Sequence, residues 1–439
     1  MNVRDSENIA ADFVERGWEL CDDAKSADAV VVNTCAVREQ AEQKALGKLW
    51  HVVNDRKERG DGLPVICVTG CMAQNLGEQI SKVVRGVDII LGARQTHKVA
   101  EECERLFKDI SAKAGTRKRR ALVNIDDDLQ SHRLINKHIA AQTRPCAFVS
   151  IMQGCQMNCS YCIVPKTRGV QRSRPEGEIL DEVARLAAGG TREVTLLGQV
   201  VNAFGKEAGG KNSADAFVEL LKKVAKIDGI ERIRFTSPHP TFFTDALIDC
   251  YAGLKELCPY VHLPMQSGSD RILKLMRRPY RSKQFSEIVG KLRRARPDIS
   301  LSTDVIVGFP TESPDDFNMT KALFEECAFD MAYIFKYSPR AGTLSAQMQD
   351  DISDDEKEAR NQILLESLRV QSQAFNDALI GTVQSVLAEA PARRGAGLLM
   401  GRTPHHRKAF FKAGADGIGK FFNVKIETAT VSALGAHVV

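Results

Sequence analysis

Nowhere in the 439 residues does an apolar run approach the ~18 residues that a membrane-crossing helix needs. The opening stretch, MNVRDSENIAADF, is polar and has no apolar core of the kind a secretory signal carries. A cytoplasmic chain with no membrane partner is therefore expected. The biases of disordered, collagen-like and coiled-coil chains are missing too, since 43% of residues are hydrophobic and 27% charged. Cysteine, by contrast, is plentiful. Twelve thiols in a long chain of cytosolic character make poor material for a disulfide framework. Some are expected to bind metal or do chemistry, and the rest to be buried small hydrophobes.

A large excess of one charge is also lacking: 61 basic residues face 56 acidic ones. The small surplus is localised. From Ala378 to Val439 there are eight Lys/Arg against three Asp/Glu, and the first 377 residues balance at 53 of each sign. A terminal module facing an anionic partner is one reading, a solvated basic tail the other.

A chain of this length suggests two to four domains. Residues 1–95 repeat a short apolar run followed by an amphipathic stretch. The runs are Ala29–Asn33, Pro64–Gly70 and Val87–Gly92. Buried parallel strands alternating with helices in an open α/β sheet are expected over 1–112. Residues 113–145 lose the pattern and read as a linker. From 146 to 377 six apolar runs alternate with helical patterns: AFVSIMQG, EVTLLGQ, RIRFTS, YVHLPMQ, LSTDVIVGFP and MAYIFKYS. Six units fall short of a closed eightfold barrel, so a partial parallel (β/α)6 barrel is expected. Ser353 and Glu356 fit a capping box that opens a trailing helix. Residues 378–439 carry Gly-punctuated strand-like runs and read as a small all-β barrel.

The densest chemistry lies in GCQMNCSYCIVP. Cys155, Cys159 and Cys162 are spaced C-x3-C-x2-C just after an apolar strand. Three thiolates from one tight loop can hold three irons of a [4Fe–4S] cube and leave the fourth open for a ligand. A structural zinc would want a fourth ligand close by. The nearest upstream cysteine is Cys146, and no histidine follows closely. Polar or small residues end the other strand runs, where a parallel barrel gathers its reactive groups. Gln199, Gln266, Ser267 and Glu312 are therefore candidates for a cofactor or substrate rim, with turn and cap roles as the alternative. Arg168, Arg172 and Arg174 follow the cysteine loop and could meet a carboxylate or phosphate, or simply face solvent. Cys35 and Cys71 each end a predicted strand where a helix begins, so the two thiols should be neighbours at one sheet edge. Cys21 and Cys67 read as core.

The cysteine loop resembles that of the radical S-adenosylmethionine (SAM) enzymes. With NTC-x-VRE-x-A-E-x-K, TGCMAQ, LLGQ-x-VNA, HLPMQSGSD and DVIVGFPTE, nearly the whole chain resembles the methylthiotransferases within that superfamily. The resemblance implies that SAM binds the open iron and is cleaved to a 5′-deoxyadenosyl radical. It implies a second, auxiliary [4Fe–4S] cluster on three cysteines, two of them Cys35 and Cys71. It also implies a terminal RNA-binding TRAM barrel. The family's first auxiliary ligand lies in G-C-Q-M-N-x-x-D-S-E, whereas this chain opens M-N-V-R-D-S-E. The third ligand is thus missing from the sequence as it stands, through a late start or a true absence. The expected reaction adds a methylthio group to C2 of N6-isopentenyladenosine at position 37 of tRNA. Sibling reactions on N6-threonylcarbamoyladenosine or on a ribosomal-protein aspartate are alternatives, and so is a non-catalytic RNA-binding protein. The tail's Arg402, Arg407, Lys408 and Lys412, with Arg393 and Arg394, would meet the RNA. Phe410, Phe411, Phe421 and Phe422 divide between base stacking and barrel core. An electron donor such as a flavodoxin or ferredoxin, and a monomeric state, complete the expectations.

Overall fold

A computed structural model describes residues 1–36, 39–60, 63–112, 120–139, 144–207, 215–395 and 397–439. Val37 and Arg38 of the first motif lie outside the described residues, as do 113–119 and 140–143 of the expected linker. Two compact units emerge. The first comprises Met1–Gln142, Met152–Met157 and Cys162–Pro175; the second comprises Thr143–Ile151, Asn158–Tyr161 and Glu176–Val439.

In the first unit, parallel strands β1 (Ala29–Thr34), β2 (Val65–Gly70), β3 (Ile89–Gly92) and β4 (Leu122–Asn124) pair in sequence order. β4 falls in the stretch expected to be a linker. Its backbone completes the ladder beside β3, a pairing too short to leave a period in the sequence. The central strands β2 and β3 are buried along their whole length, as apolar runs covered on both faces should be. Leu49, Val53, Ile66, Val68, Met72, Ile80 and Ile90 fill one side. Ile9, Phe13, Val65, Cys67, Leu91, Val99 and Cys103 fill the other. Cys67 is thus core as expected, but Cys21 is exposed, in the connection between the first helix and β1. A two-stranded antiparallel ribbon, β6 (Met152–Gln153) with β7 (Arg172–Ser173), closes the base of the cysteine loop.

The second unit contains all six expected barrel strands. β5 (Cys146–Ser150), β8 (Glu193–Leu197) and β9 (Arg232–Phe235) form one parallel sheet. β10 (Tyr260–His262), β11 (Ser300–Val307) and β12 (Met331–Lys336) form another. A parallel bridge between Ile233 and Leu257 joins the two. Ser353 accepts the Glu356 N–H at 3.2 Å and opens the helix Asp354–Asp377. The chain then forms a closed barrel of five strands. These are β13 (Val383–Pro391), β14 (Leu398–Arg402), β15 (Lys408–Lys412), β16 (Phe421–Ala429) and β17 (Leu434–Val438). Val386, Leu399, Phe411, Val424 and Ile426 fill it, with Phe422 packed against them. Among the described residues no helix is long and apolar enough to cross a membrane.

Candidate active site

In the first unit, register brings the two front cysteines together. Thr34 at the end of β1 pairs with Gly70 at the end of β2, so the next residues, Cys35 and Cys71, leave the sheet side by side. Gly70 has φ +94°, and a Cβ there would stand 2.4 Å from the Thr34 carbonyl oxygen. Only glycine allows the turn that presents Cys71 at the start of its helix. Cys71 is buried, and Ala36, Ala93 and Ile163 pack around it. Ile163 directly follows Cys162, so the cysteine loop's exit packs beside Cys71 within this unit.

Arg168 ends the short helix Val164–Arg168 after that loop. Its Nε donates to Cys71 Sγ at 3.2 Å, and its terminal nitrogen donates to Asp5 at 2.6 Å. Burial pulls the guanidinium's pKa down, but Asp5 and Cys71 outweigh it and hold the pKa above the usual arginine value. Arg172 is taken by Asp127 at 3.0 Å, and Arg174 is buried. Arg168 and Arg174 are thus buried, and Arg172 is partly exposed. At the loop's entry, Cys155 donates its N–H to the Gly169 carbonyl at 3.0 Å. Gly154 has φ +83°, and a Cβ there would meet the Val170 carbonyl oxygen at 2.0 Å.

Cys159 belongs to the second unit, where Arg278 donates to its Sγ at 3.3 Å. The strand-end candidates lie in the same unit. Gln199 is half-buried after β8. Gln266 is buried, with φ +65°, and bridges to Val305 of β11. Ser267 departs from the rim role: it is fully buried and its hydroxyl lies 3.1 Å from Thr320 Oγ1, fastening the helix Pro314–Cys327. Glu312 is also buried, and takes the Gly308 N–H at 2.7 Å and Arg360 at 2.8 Å through one oxygen. Its other oxygen, Oε1, is buried without a partner. Burial outweighs the hydrogen bonds and the Arg360 charge, so its pKa stands above the ordinary value.

Sequence reasoning missed His239, just past β9. Its Nδ1 accepts the Thr241 N–H at 3.2 Å, which leaves the neutral ring's proton on Nε2. That Nε2 is buried with no hydrogen-bond partner. Burial, reinforced by Arg278, lowers the imidazole pKa to about 2. Two orphaned polar atoms, an acceptor on Glu312 and a donor on His239, thus follow strand ends where a parallel barrel carries its chemistry. They fit a polar cofactor or substrate.

All twelve cysteines are free of disulfides. Among the described residues no three His, Cys, Asp or Glu side chains form a cage for a single metal ion. An iron–sulfur cube takes each thiolate on a different iron. The donor set of loop thiolates with a cationic neighbour fits such a cube better than zinc.

On the closing barrel, Lys408 and Lys412 are exposed, as are Arg393 and Arg394. Arg402 is partly buried and engaged by Glu389. Arg407 corrects the expectation of an RNA contact. It is buried and paired with Asp330, because the loop before β15 packs onto the start of the β12 region.

Comparison with known proteins agrees with this architecture. Residues 149–324 match the Radical SAM superfamily, and residues 1–92 match Uncharacterized protein family UPF0004. Among solved structures, the radical SAM methyltransferase TsrM from Kitasatospora setae is similar in fold, with TM-score 0.53 and 14% identity. That match covers 76% of this chain and 70% of that one. Fold and cysteine loop together define a radical SAM enzyme. Curated relatives narrow the class. The tRNA-2-methylthio-N(6)-dimethylallyladenosine synthase of Akkermansia muciniphila is 42% identical over 98% of this chain and 94% of its own length. That of Opitutus terrae is 44% identical over 99% and 94%, and that of Escherichia coli O1:K1 / APEC is 42% identical over 100% and 90%. The chain belongs to the family of tRNA-2-methylthio-N(6)-dimethylallyladenosine synthases.

Proposed function

We propose that this protein adds a methylthio group to C2 of N6-isopentenyladenosine, also called dimethylallyladenosine, at position 37 of tRNA. The observation that carries the reading is an intact C-x3-C-x2-C loop in a chain 42–44% identical, end to end, to synthases named for that product. The C2–H bond is unactivated, so the reaction calls for a hydrogen-atom abstractor. A [4Fe–4S] cluster with bound SAM supplies that radical chemistry.

Cys155, Cys159 and Cys162 are the ligands for this cluster. Cys35 and Cys71 are two ligands of an auxiliary cluster, the sulfur route. Gln199, Gln266 and Glu312 are assigned to the SAM and substrate rim. The unpaired Glu312 oxygen supports this, since a buried acceptor without a partner is costly unless a ligand satisfies it. The functional division is a methylthiotransferase domain over 1–112, a radical SAM barrel over 146–377 and a TRAM barrel over 378–439. On the last, exposed Lys408 and Lys412 meet tRNA phosphates. A flavodoxin- or ferredoxin-type donor delivers the electron to a monomeric, cytoplasmic enzyme.

The test is anaerobic reconstitution followed by reduction in the presence of SAM. The protein should release 5′-deoxyadenosine and Cys159→Ala should not; undiminished release from that variant would sink the assignment.

A further inference from the structure

Cys159 is the cysteine of the radical loop that lies in the second unit, and there the chain holds it with unusual care. Ser160 donates its N–H to the Met276 carbonyl at 3.1 Å and its hydroxyl to the Leu275 carbonyl at 2.8 Å. Both acceptors are carbonyls at the C-terminal end of the helix Asp270–Leu275, which Ser160 thereby caps. The Ser160 carbonyl in turn accepts the Ser345 N–H at 2.8 Å. The loop tip is therefore fixed by backbone and hydroxyl contacts that need no help from a charged side chain.

Arg278 nevertheless reaches the same tip. Only 7% of it is exposed, and it donates to Cys159 Sγ at 3.3 Å. Its Nε donates to Tyr280 Oη at 3.1 Å, and the Tyr280 hydroxyl donates to the Met265 carbonyl at 2.9 Å. The guanidinium also lies over the Tyr280 ring, 5.0 Å from its centre. Three other buried arginines each have a carboxylate: Arg168 has Asp5, Arg360 has Glu312 and Arg407 has Asp330. Arg278 has no ion pair with a carboxylate among the described residues. A buried cation is strongly unfavourable unless an anion compensates it. The cysteine sulfur is the acceptor that becomes a full anion when it ligates iron.

We propose that Arg278 is a positioning residue of the radical centre: it is the buried counter-ion of the Cys159 thiolate, and its hydrogen bond to that sulfur raises the cluster's reduction potential. This rests on the reading that Cys155, Cys159 and Cys162 hold a [4Fe–4S] cluster. One-electron reduction by a flavodoxin- or ferredoxin-type donor adds one negative charge to the cube and its thiolates, and breaks no bond. A cation fixed in a low-dielectric site stabilises the more negative state more strongly. Hydrogen bonds to the sulfurs act in the same direction. Tyr280 aims the guanidinium by occupying its Nε.

The experiment uses the full chain carrying Cys35→Ala and Cys71→Ala, so that only the radical cluster forms. It is reconstituted anaerobically and titrated with dithionite while the reduced cluster is followed by electron paramagnetic resonance. This parent should bind about four irons. Arg278→Gln should shift the midpoint to lower potential with its iron retained, and Arg278→Lys should recover part of the shift. Tyr280→Phe, which keeps the charge but frees the guanidinium, should give a smaller shift of the same sign. It serves as the test if Arg278→Gln does not fold. A midpoint equal to the parent's in Arg278→Gln, or in Tyr280→Phe where that stands in, would overturn the proposal. A parent that takes up no four-iron cluster would instead overturn the reading beneath it.

Discussion

Arg168 donates one hydrogen bond to Cys71 Sγ and another to Asp5, although Cys71 lies 97 positions earlier in the chain. The helix that follows the C-x3-C-x2-C loop is thereby tied to Cys71, at the end of β2, inside one compact unit. Asp5 and Arg168 are both nearly inaccessible to solvent.

Breaking that pair should be costly. Arg168→Gln leaves the Asp5 carboxylate buried without its cation, and should destabilise the cluster-free protein by about 3–5 kcal/mol. Asp5→Asn combined with Arg168→Gln should cost less than Arg168→Gln alone. Urea denaturation of the single and double variants measures the difference. Equal losses would mean that the pair does not act as a unit.

Much of this was legible in the sequence, and the reasons differ by feature. The apolar runs that became β2, β3, β8 and β9 are buried along their whole length, so continuous hydrophobicity marked them, while β1, β5, β10 and β12 are only partly buried and were marked by their place in the strand–helix alternation. The side-by-side placement of Cys35 and Cys71 followed from parallel topology alone. β4 was hidden because a three-residue edge pairing has no periodicity. Arg407 was misread because sequence shows a charge but not its partner, and Asp330 comes from another element 77 positions away. The same blindness hid Arg278 and His239. Arg277 and Arg278 are adjacent and chemically alike, and only the fold decides which one is buried against Cys159.

The closing barrel should bind through its exposed lysines. Lys408→Ala with Lys412→Ala should weaken tRNA binding and lower the salt dependence of binding by roughly 2 in the log–log slope. Arg407→Ala should instead lower thermal stability, since it strands Asp330. Filter binding across a salt series and a melting curve separate the two. An unchanged slope in the lysine double variant would place the electrostatic contact elsewhere.

Acid should loosen the second unit through two buried histidines. Burial lowers His239 to about 2 and His406 to about 3. Unfolded, each takes up a proton near pH ~6.5. The unfolded state then binds more protons, so stability that is intact above about pH 6.5 falls as pH drops toward the folded values. At about pH 5 each histidine accounts for up to about 2 kcal/mol. His239→Asn, whose side-chain oxygen can still accept the Thr241 N–H, should show a smaller drop in urea midpoint between about pH 7.5 and 5. An identical drop would contradict the assignment.

The central claim is methylthiolation of an isopentenylated adenosine in tRNA, and mass spectrometry of tRNA nucleosides tests it most directly. In a strain deleted for this protein, 2-methylthio-N6-isopentenyladenosine should disappear and N6-isopentenyladenosine should accumulate in its place. The gene should restore the product, and the same gene carrying Cys159→Ala should not. An unchanged level of 2-methylthio-N6-isopentenyladenosine in the deletion strain would contradict the account.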